Sequence, residues 1–160
     1  MKRVRSNKRA FTLIELLVVV LIIGILAAIA VPQYQFAVEK ANALELISLV
    51  NQVHKAEELY YLANGTYTND LTKLDLEIDT SRLAYSISPA GSVPYVQGRS
   101  KRGLQYVYYL DQQEEYRFYS GRRECRTDLT AADSVQKVCA TLTGKTKYTF
   151  KGDSYYAWVF

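Results

Sequence analysis

The sequence predicts an α+β chain in which a long N-terminal helix spans a membrane with its first half and packs with its second half on a C-terminal antiparallel β-sheet. Three observations predict this. Residues 11–38 form an apolar run broken by a single charge, Glu15, directly behind a basic leader. Residues 36–62 continue in helix formers, with Ala43, Leu46, Ile47, Val50, Val53 and Tyr60 spaced by threes and fours as one apolar face. Beyond Asn64-Gly65, short β-type runs alternate with glycine, proline and charged clusters.

The leader, residues 1–10, holds five basic residues and no acid. That imbalance keeps the N-terminus of the following segment on the cytoplasmic side. The run LLVVVLIIGILAAIAV at 16–31, extended back to Phe11, gives about 21 residues, enough to cross a hydrocarbon core of roughly 30 Å as a helix. Three readings compete for it. A secretory signal cut after Ala30 uses the small-x-small Ala28-Ile29-Ala30, but it places Glu15 inside the apolar core of the signal and Pro32 just beyond the cut. A plain transmembrane anchor leaves Glu15 unpaired, at a cost of at least about 2.5–3.5 kcal/mol for a charge in hydrocarbon. Cleavage between Ala10 and Phe11 instead creates a charged α-amine four residues before Glu15. The amine of a neighbouring, staggered helix reaches that carboxylate, and Glu15 becomes a register for side-by-side packing.

The basic leader, Phe11-Thr12-Leu13-Ile14-Glu15-Leu16-Leu17, and GILAAIAVPQY from Gly24 closely resemble the class III signal segment of type IV pilins and type II secretion pseudopilins. The resemblance covers about the first 35 residues and is specific, since hydrophobicity alone does not demand Phe, Glu and Pro at these spacings. It implies cleavage between Ala10 and Phe11 by a membrane prepilin peptidase that also N-methylates Phe11, and subunit alignment through Glu15 and the Phe11 amine. It further implies a pilin fold and a structural subunit of a type IV pilus, held single-pass in the inner membrane with its head outside the cytoplasm. Its implied partners are membrane lipid before assembly, an inner-membrane platform with its ATPase, and further copies in a helical surface filament. A type II pseudopilin is the alternative, and a membrane-anchored monomeric binding module a second. One departure stands out: Ala10 occupies a position where the family usually has glycine.

In this organisation residues 1–10 are a cleaved leader, 11–34 the membrane and filament-core helix, and 35–160 a globular head. Gly24 and Pro32 are expected to interrupt the helix, with a kink near Pro32, the proline removing a donor and crowding the preceding turn. The head divides into helix at 35–63, a connecting loop at 64–82, and sheet with a disulfide-bounded region at 83–160. Gly65 suits the left-handed position just past a helix end. A continuous helix over 11–62 would be roughly 78 Å long at 1.5 Å per residue. Residues 65–78 read as a compact loop with some helical turn, pinned by Leu71, Leu74 and Leu76. Strand-like runs follow at 83–87, 104–110, 116–120, 138–142, 148–150 and 155–159, and the fourteen tyrosines suit strands with one wet face.

Charge is unevenly placed. The whole chain is +4, and subtracting the five leader charges leaves −1. Residues 33–80 carry three lysines against eight acids, whereas 81–160 carry twelve basic and seven acidic residues. Two readings stand: opposite halves attract between staggered copies, or both sets are simply solvated surface. The basic group Arg99, Lys101, Arg102, Arg122, Arg123 and Arg126, interleaved with tyrosines, is the nucleic-acid candidate, and DNA is the partner it would bind; the near-neutral mature chain weighs against it.

Cys125 and Cys139 are the two cysteines and pair in an exported chain, closing a loop of about 15 residues worth roughly 3 kcal/mol. No catalytic constellation is present: there is one histidine, His54, and no phosphate loop, HExxH or CxxC. Asp70, Asp75, Glu77 and Asp79 lack the spacing and central glycine of an EF-hand, and Asp128, Asp133 and Asp153 are the acids nearest the calcium loop of related pseudopilins. No cofactor, metal or enzymatic activity is expected.

Overall fold

The computed structural model describes residues 11–78, 84–87, 93–110 and 118–160, the side chains of 84–87 excepted. The chain forms two compact units divided between Gln35 and Phe36. α1 (Leu13–Asn64) begins in the first and ends in the second.

In the first unit every residue from 13 to 35 is exposed, and α1 contains a window of mean hydropathy 3.1 with none of it buried. By length and composition this helix can cross a membrane. The helix runs without a break through both Gly24 and Pro32, the proline lying inside α1, so neither residue ends it; the kink near Pro32 stays an expectation of the sequence. A proline withholds one N–H from the ladder, and the flanking bonds suffice to carry the helix past it.

In the second unit α1 buries Ala43, Leu46, Leu49, Val50 and Val53. The helix stops at Asn64 because Gly65 takes φ +71° and donates its N–H to the Tyr61 carbonyl at 2.7 Å. A single turn of 3-10 helix, Leu71–Lys73, follows in the connecting loop, capped by Asp70, with Leu74 buried and Leu71 and Leu76 packed against the core. The expected pinning of this loop is thus observed; residues 79–82 lie outside the described residues.

Among the described residues six strands form one antiparallel sheet: β1 (Ala84–Ile87), β2 (Tyr95–Arg99), β3 (Leu104–Tyr109), β4 (Arg123–Asp128), β5 (Phe150–Lys151) and β6 (Tyr155–Val159), in the order β1-β2-β3-β4-β6-β5. α1 packs closely on β2. A Cβ at Gly98 would lie 2.3 Å from Leu46 Cδ1 and 2.8 Å from Val50 Cγ2, so only glycine permits this approach. α2 (Asp133–Thr143) lies over β4 and β6 and adds Val135, Val138 and Cys139 to the core.

Two expected strands are not strands. Residues 138–142 belong to α2, where burial at 135, 138 and 139 imposes the helical period and Gly144 closes the element in the left-handed conformation. Residues 118–120 form a turn ahead of Gly121, at φ +66°, while 116–117 lie outside the described residues. β2 and β4 were not expected as strands, because Gly98 and the charged pattern RECRTD mask their alternation.

Candidate functional site

Glu15 sits at the third helical position of α1 and Thr12 just ahead of the first. Glu15 Oε2 accepts from the Thr12 backbone N–H at 2.8 Å and from its hydroxyl at 2.8 Å, while the Glu15 N–H donates to Thr12 Oγ1 at 3.3 Å. This reciprocal arrangement is a capping box, which satisfies N–H groups that the start of a helix leaves unpaired. The Thr-x-x-Glu signal is present in the sequence, but reading Glu15 solely as an assembly residue passed over it. Oε1 takes part in none of the three bonds. Phe11 is 83 % exposed, and Ala10 lies outside the described residues.

The head holds its charges in internal networks. Glu124 on β4 is completely buried; Arg126 Nε donates to its Oε2 at 2.7 Å, and Arg122 Nε approaches its Oε1 at 2.7 Å. Arg126 also donates to the Tyr109 hydroxyl at 2.6 Å and lies 4.4 Å over the Tyr155 ring. Burial pushes the Tyr109 hydroxyl up to about 12. On the same sheet Asp128 accepts from Arg99 at 2.6 Å and from Gln105 at 2.9 Å. Arg102 pairs with Glu39 on α1, whose side chain is 3 % exposed.

Four of the six basic residues proposed for nucleic acid are therefore paired with three carboxylates of the head, Arg122 and Arg126 sharing Glu124, while Arg99 and Arg102 stay exposed, as do Lys101 and Arg123. His54 is used in packing, stacked on Tyr108 with centroids 3.7 Å apart and 3.9 Å from Glu58. Glu57 is buried beside it and accepts the Thr68 N–H at 3.1 Å, tying the connecting loop to α1. Desolvation raises its pKa against the opposing effect of that bond.

Cys125 and Cys139 form the expected disulfide, with Cα atoms 5.4 Å apart, joining β4 to α2 in the core. Among the described residues no three acidic, histidine or cysteine groups converge on a metal position. Asp128 is engaged by Arg99 and Gln105, and Asp79 lies outside the described residues.

Residues 5–31 match the model of the prokaryotic N-terminal methylation motif. The chain is 36 % identical over 92 residues to the type IV wide pilus major component PilA4 of Thermus thermophilus, covering 56 % of this chain and 70 % of that protein. It is 39 % identical over 74 residues to the type IV major pilin protein PilE of Neisseria gonorrhoeae, covering 46 % and 44 % of the two chains. With the type IV major fimbrial protein FimA of Dichelobacter nodosus it shares 48 % identity over 54 residues, 34 % of this chain and 35 % of that one. The match thus spans less than half the length of the last two relatives. No solved structure matches the chain.

Proposed function

The chain belongs to the type IV pilin family, and from that premise we propose that it is a structural subunit of a type IV pilus, polymerised through the first half of α1. The observation that carries this reading is the wholly exposed apolar surface of residues 13–35. A surface of that kind requires a non-aqueous neighbour. Lipid supplies it before assembly, and the helices of other copies supply it afterwards, with Gly24, Ala27, Ala28 and Ala30 allowing close approach. The relatives are structural subunits, and the proposed role needs no catalysis.

Processing completes the site. Prepilin peptidase removes residues 1–10 and N-methylates Phe11, leaving a cation at the head of α1. In the single chain Glu15 caps its own helix through Oε2; in the filament the Phe11 amine of a neighbouring copy reaches Oε1 and sets the stagger. Pro32 and Gly24 adjust the helix path within the packed core. The subunit waits in the inner membrane with its head outside the cytoplasm. An assembly platform and its ATPase extract it, because the sequence carries no nucleotide-binding motif of its own.

Intact mass and N-terminal sequencing of sheared surface material test this, with a chain starting at methylated Phe11 as the expected result. Glu15→Ala should keep normal membrane levels and lose the filaments. Release into the medium of a chain starting at Val31 would sink the subunit reading, and undiminished filaments from Glu15→Ala would remove the pairing mechanism.

A further inference from the structure

Where α1 enters the head, one tight turn presents its basic residues in a fixed position. The Ser100 N–H donates to the Leu104 carbonyl at 2.7 Å and the Gly103 N–H to the Ser100 carbonyl at 3.2 Å, closing the connection between β2 and β3. Gly103 takes φ +84°, and a Cβ on it would lie 2.6 Å from Asp128 Oδ2, so the turn requires glycine there. Ion pairs hold the turn from both sides, Arg102 with the buried Glu39 of α1 and Arg99 with Asp128 at the end of β4. Lys101, in the middle of the turn, is exposed, and Lys40, next to Glu39, is half-buried. Among the described residues neither lysine takes part in an ion pair.

Glu39 directly follows Val38, the last residue of the apolar run. Its pair with Arg102 therefore keeps the turn near the point at which the chain leaves that run. Lys40, Arg99, Lys101 and Arg102 face two acids, Glu39 and Asp128, an excess of +2 (4 minus 2) in a chain that is −1 without its leader (4 minus 5). The exposed acids at the same end of the sheet, Asp133 and Asp153, belong to the β4–α2 and β5–β6 connections, toward β5 in the strand order, where Lys151 accompanies them. The positive excess is thus confined to the side of β2 and β3.

We propose that the β2–β3 turn and Lys40 dock on anionic phospholipid headgroups and hold the head of the unassembled subunit on the bilayer surface. The proposal rests on the membrane-held stage of the reading above and adds the lipid chemistry that the head recognises. Each lysine or arginine close to an anionic surface adds to the attraction, which fades beyond about 8–10 Å. Asp133 and Asp153 are repelled by the same surface, so the β2–β3 side is the one turned toward it. The two ion pairs leave Lys101 without a carboxylate of its own to compete with the headgroups.

Amine acylation read by peptide mass spectrometry tests this surface on the full-length chain in nanodiscs of phosphatidylcholine, with and without phosphatidylglycerol. Phosphatidylglycerol should slow acylation of Lys101 about fivefold. Lys73 on the connecting loop and Lys147 beyond α2, both exposed, should keep their rates. Salt at about 1 M, where screening acts within roughly 3 Å, should remove the difference. Lys101→Glu should weaken the protection of Lys40 and, at an exposed position, leave the melting temperature of the head unchanged. Equal acylation of Lys101 in the two nanodiscs overturns the lipid surface and leaves the subunit reading standing, as does equal slowing at Lys73 and Lys147. Protection of Lys101 by duplex DNA and not by phosphatidylglycerol assigns the turn to nucleic acid and overturns it as well. Failure of the chain to enter nanodiscs overturns the membrane-held reading and this surface with it.

Discussion

The first and second halves of α1 are both rich in aliphatic residues, yet they use them oppositely. Leu21, Ile22 and Leu26 are exposed, whereas Leu46, Val50 and Val53 are completely buried against the sheet. The second half alternates its apolar face with polar residues such as Glu45, Gln52 and Lys55; the first half is apolar all round. A one-sided helix buries its face within its own chain, and an all-round one needs neighbours from outside. The charges divide too, since Arg99 on β2 and Arg126 on β4 pair with carboxylates of the head, whereas Lys137 on α2 takes part in no ion pair among the described residues.

Breaking the buried ion network should have the largest effect. Glu124→Gln strips the completely buried carboxylate from Arg126, and the loss of one partner from such a pair costs about 3–5 kcal/mol. Lys137→Ala, by contrast, should leave head stability within about 0.5 kcal/mol. Thermal melting of the full chain in detergent compares the two, and equal effects would dissolve the distinction between answered and outward charge.

The halves of α1 can be separated in the same way. Leu46→Ala opens a cavity under Gly98 and should destabilise the head by about 2–5 kcal/mol. Leu21→Ala should leave head melting unchanged and appear only as reduced filament recovery. A fall in melting temperature from Leu21→Ala would mean that the first half supports the head. Next in size is the disulfide, whose loss in Cys125→Ser with Cys139→Ser should cost roughly 3 kcal/mol for a link across 14 residues. Melting with and without reductant checks this, and reductant should act only on the parent chain.

Legibility in the sequence followed the same division. Residues 11–35 could be read because hydrophobic length and a lone Glu15 are local signals, and the stripe from Ala43 to Val53 could be read because its period is helical. The helix stop at Gly65 and the disulfide were legible for equally local reasons, a left-handed glycine and a lone cysteine pair. What escaped was non-local. β4 looks too charged for a central strand until Arg126 on it and Arg122 just ahead of it are seen to share the buried Glu124. Residues 138–142 have strand-like composition, and only their burial beside Cys125 decides for a helix. The buried Glu39, anchored by Arg102 from 63 residues away, had no signal in the neighbouring sequence. The capping role of Glu15 is the exception, because Thr12 three residues earlier made it readable.

The smallest effect sharpens the contrast between buried and outward acids through pH. Burial raises the Glu57 pKa above its unfolded value, with the Thr68 N–H bond opposing and neighbouring Glu58 adding to the rise. Over the window from the unfolded pKa near 4.5 up to the raised folded value, the folded head therefore binds more protons than the unfolded chain. Its contribution to stability is fully present below that window and is lost as pH rises through the folded pKa. Glu57→Gln has no such titration and keeps an oxygen for the Thr68 N–H, so the difference in melting temperature between parent and variant should move in favour of the parent as pH falls from 7 to 4.5. Taking the difference cancels titrations that are the same in both chains. Parallel profiles would show that the Glu57 carboxylate is solvated in the folded head, and that its bond to Thr68 holds the loop without the burial that sets it apart from Asp75 and Glu77.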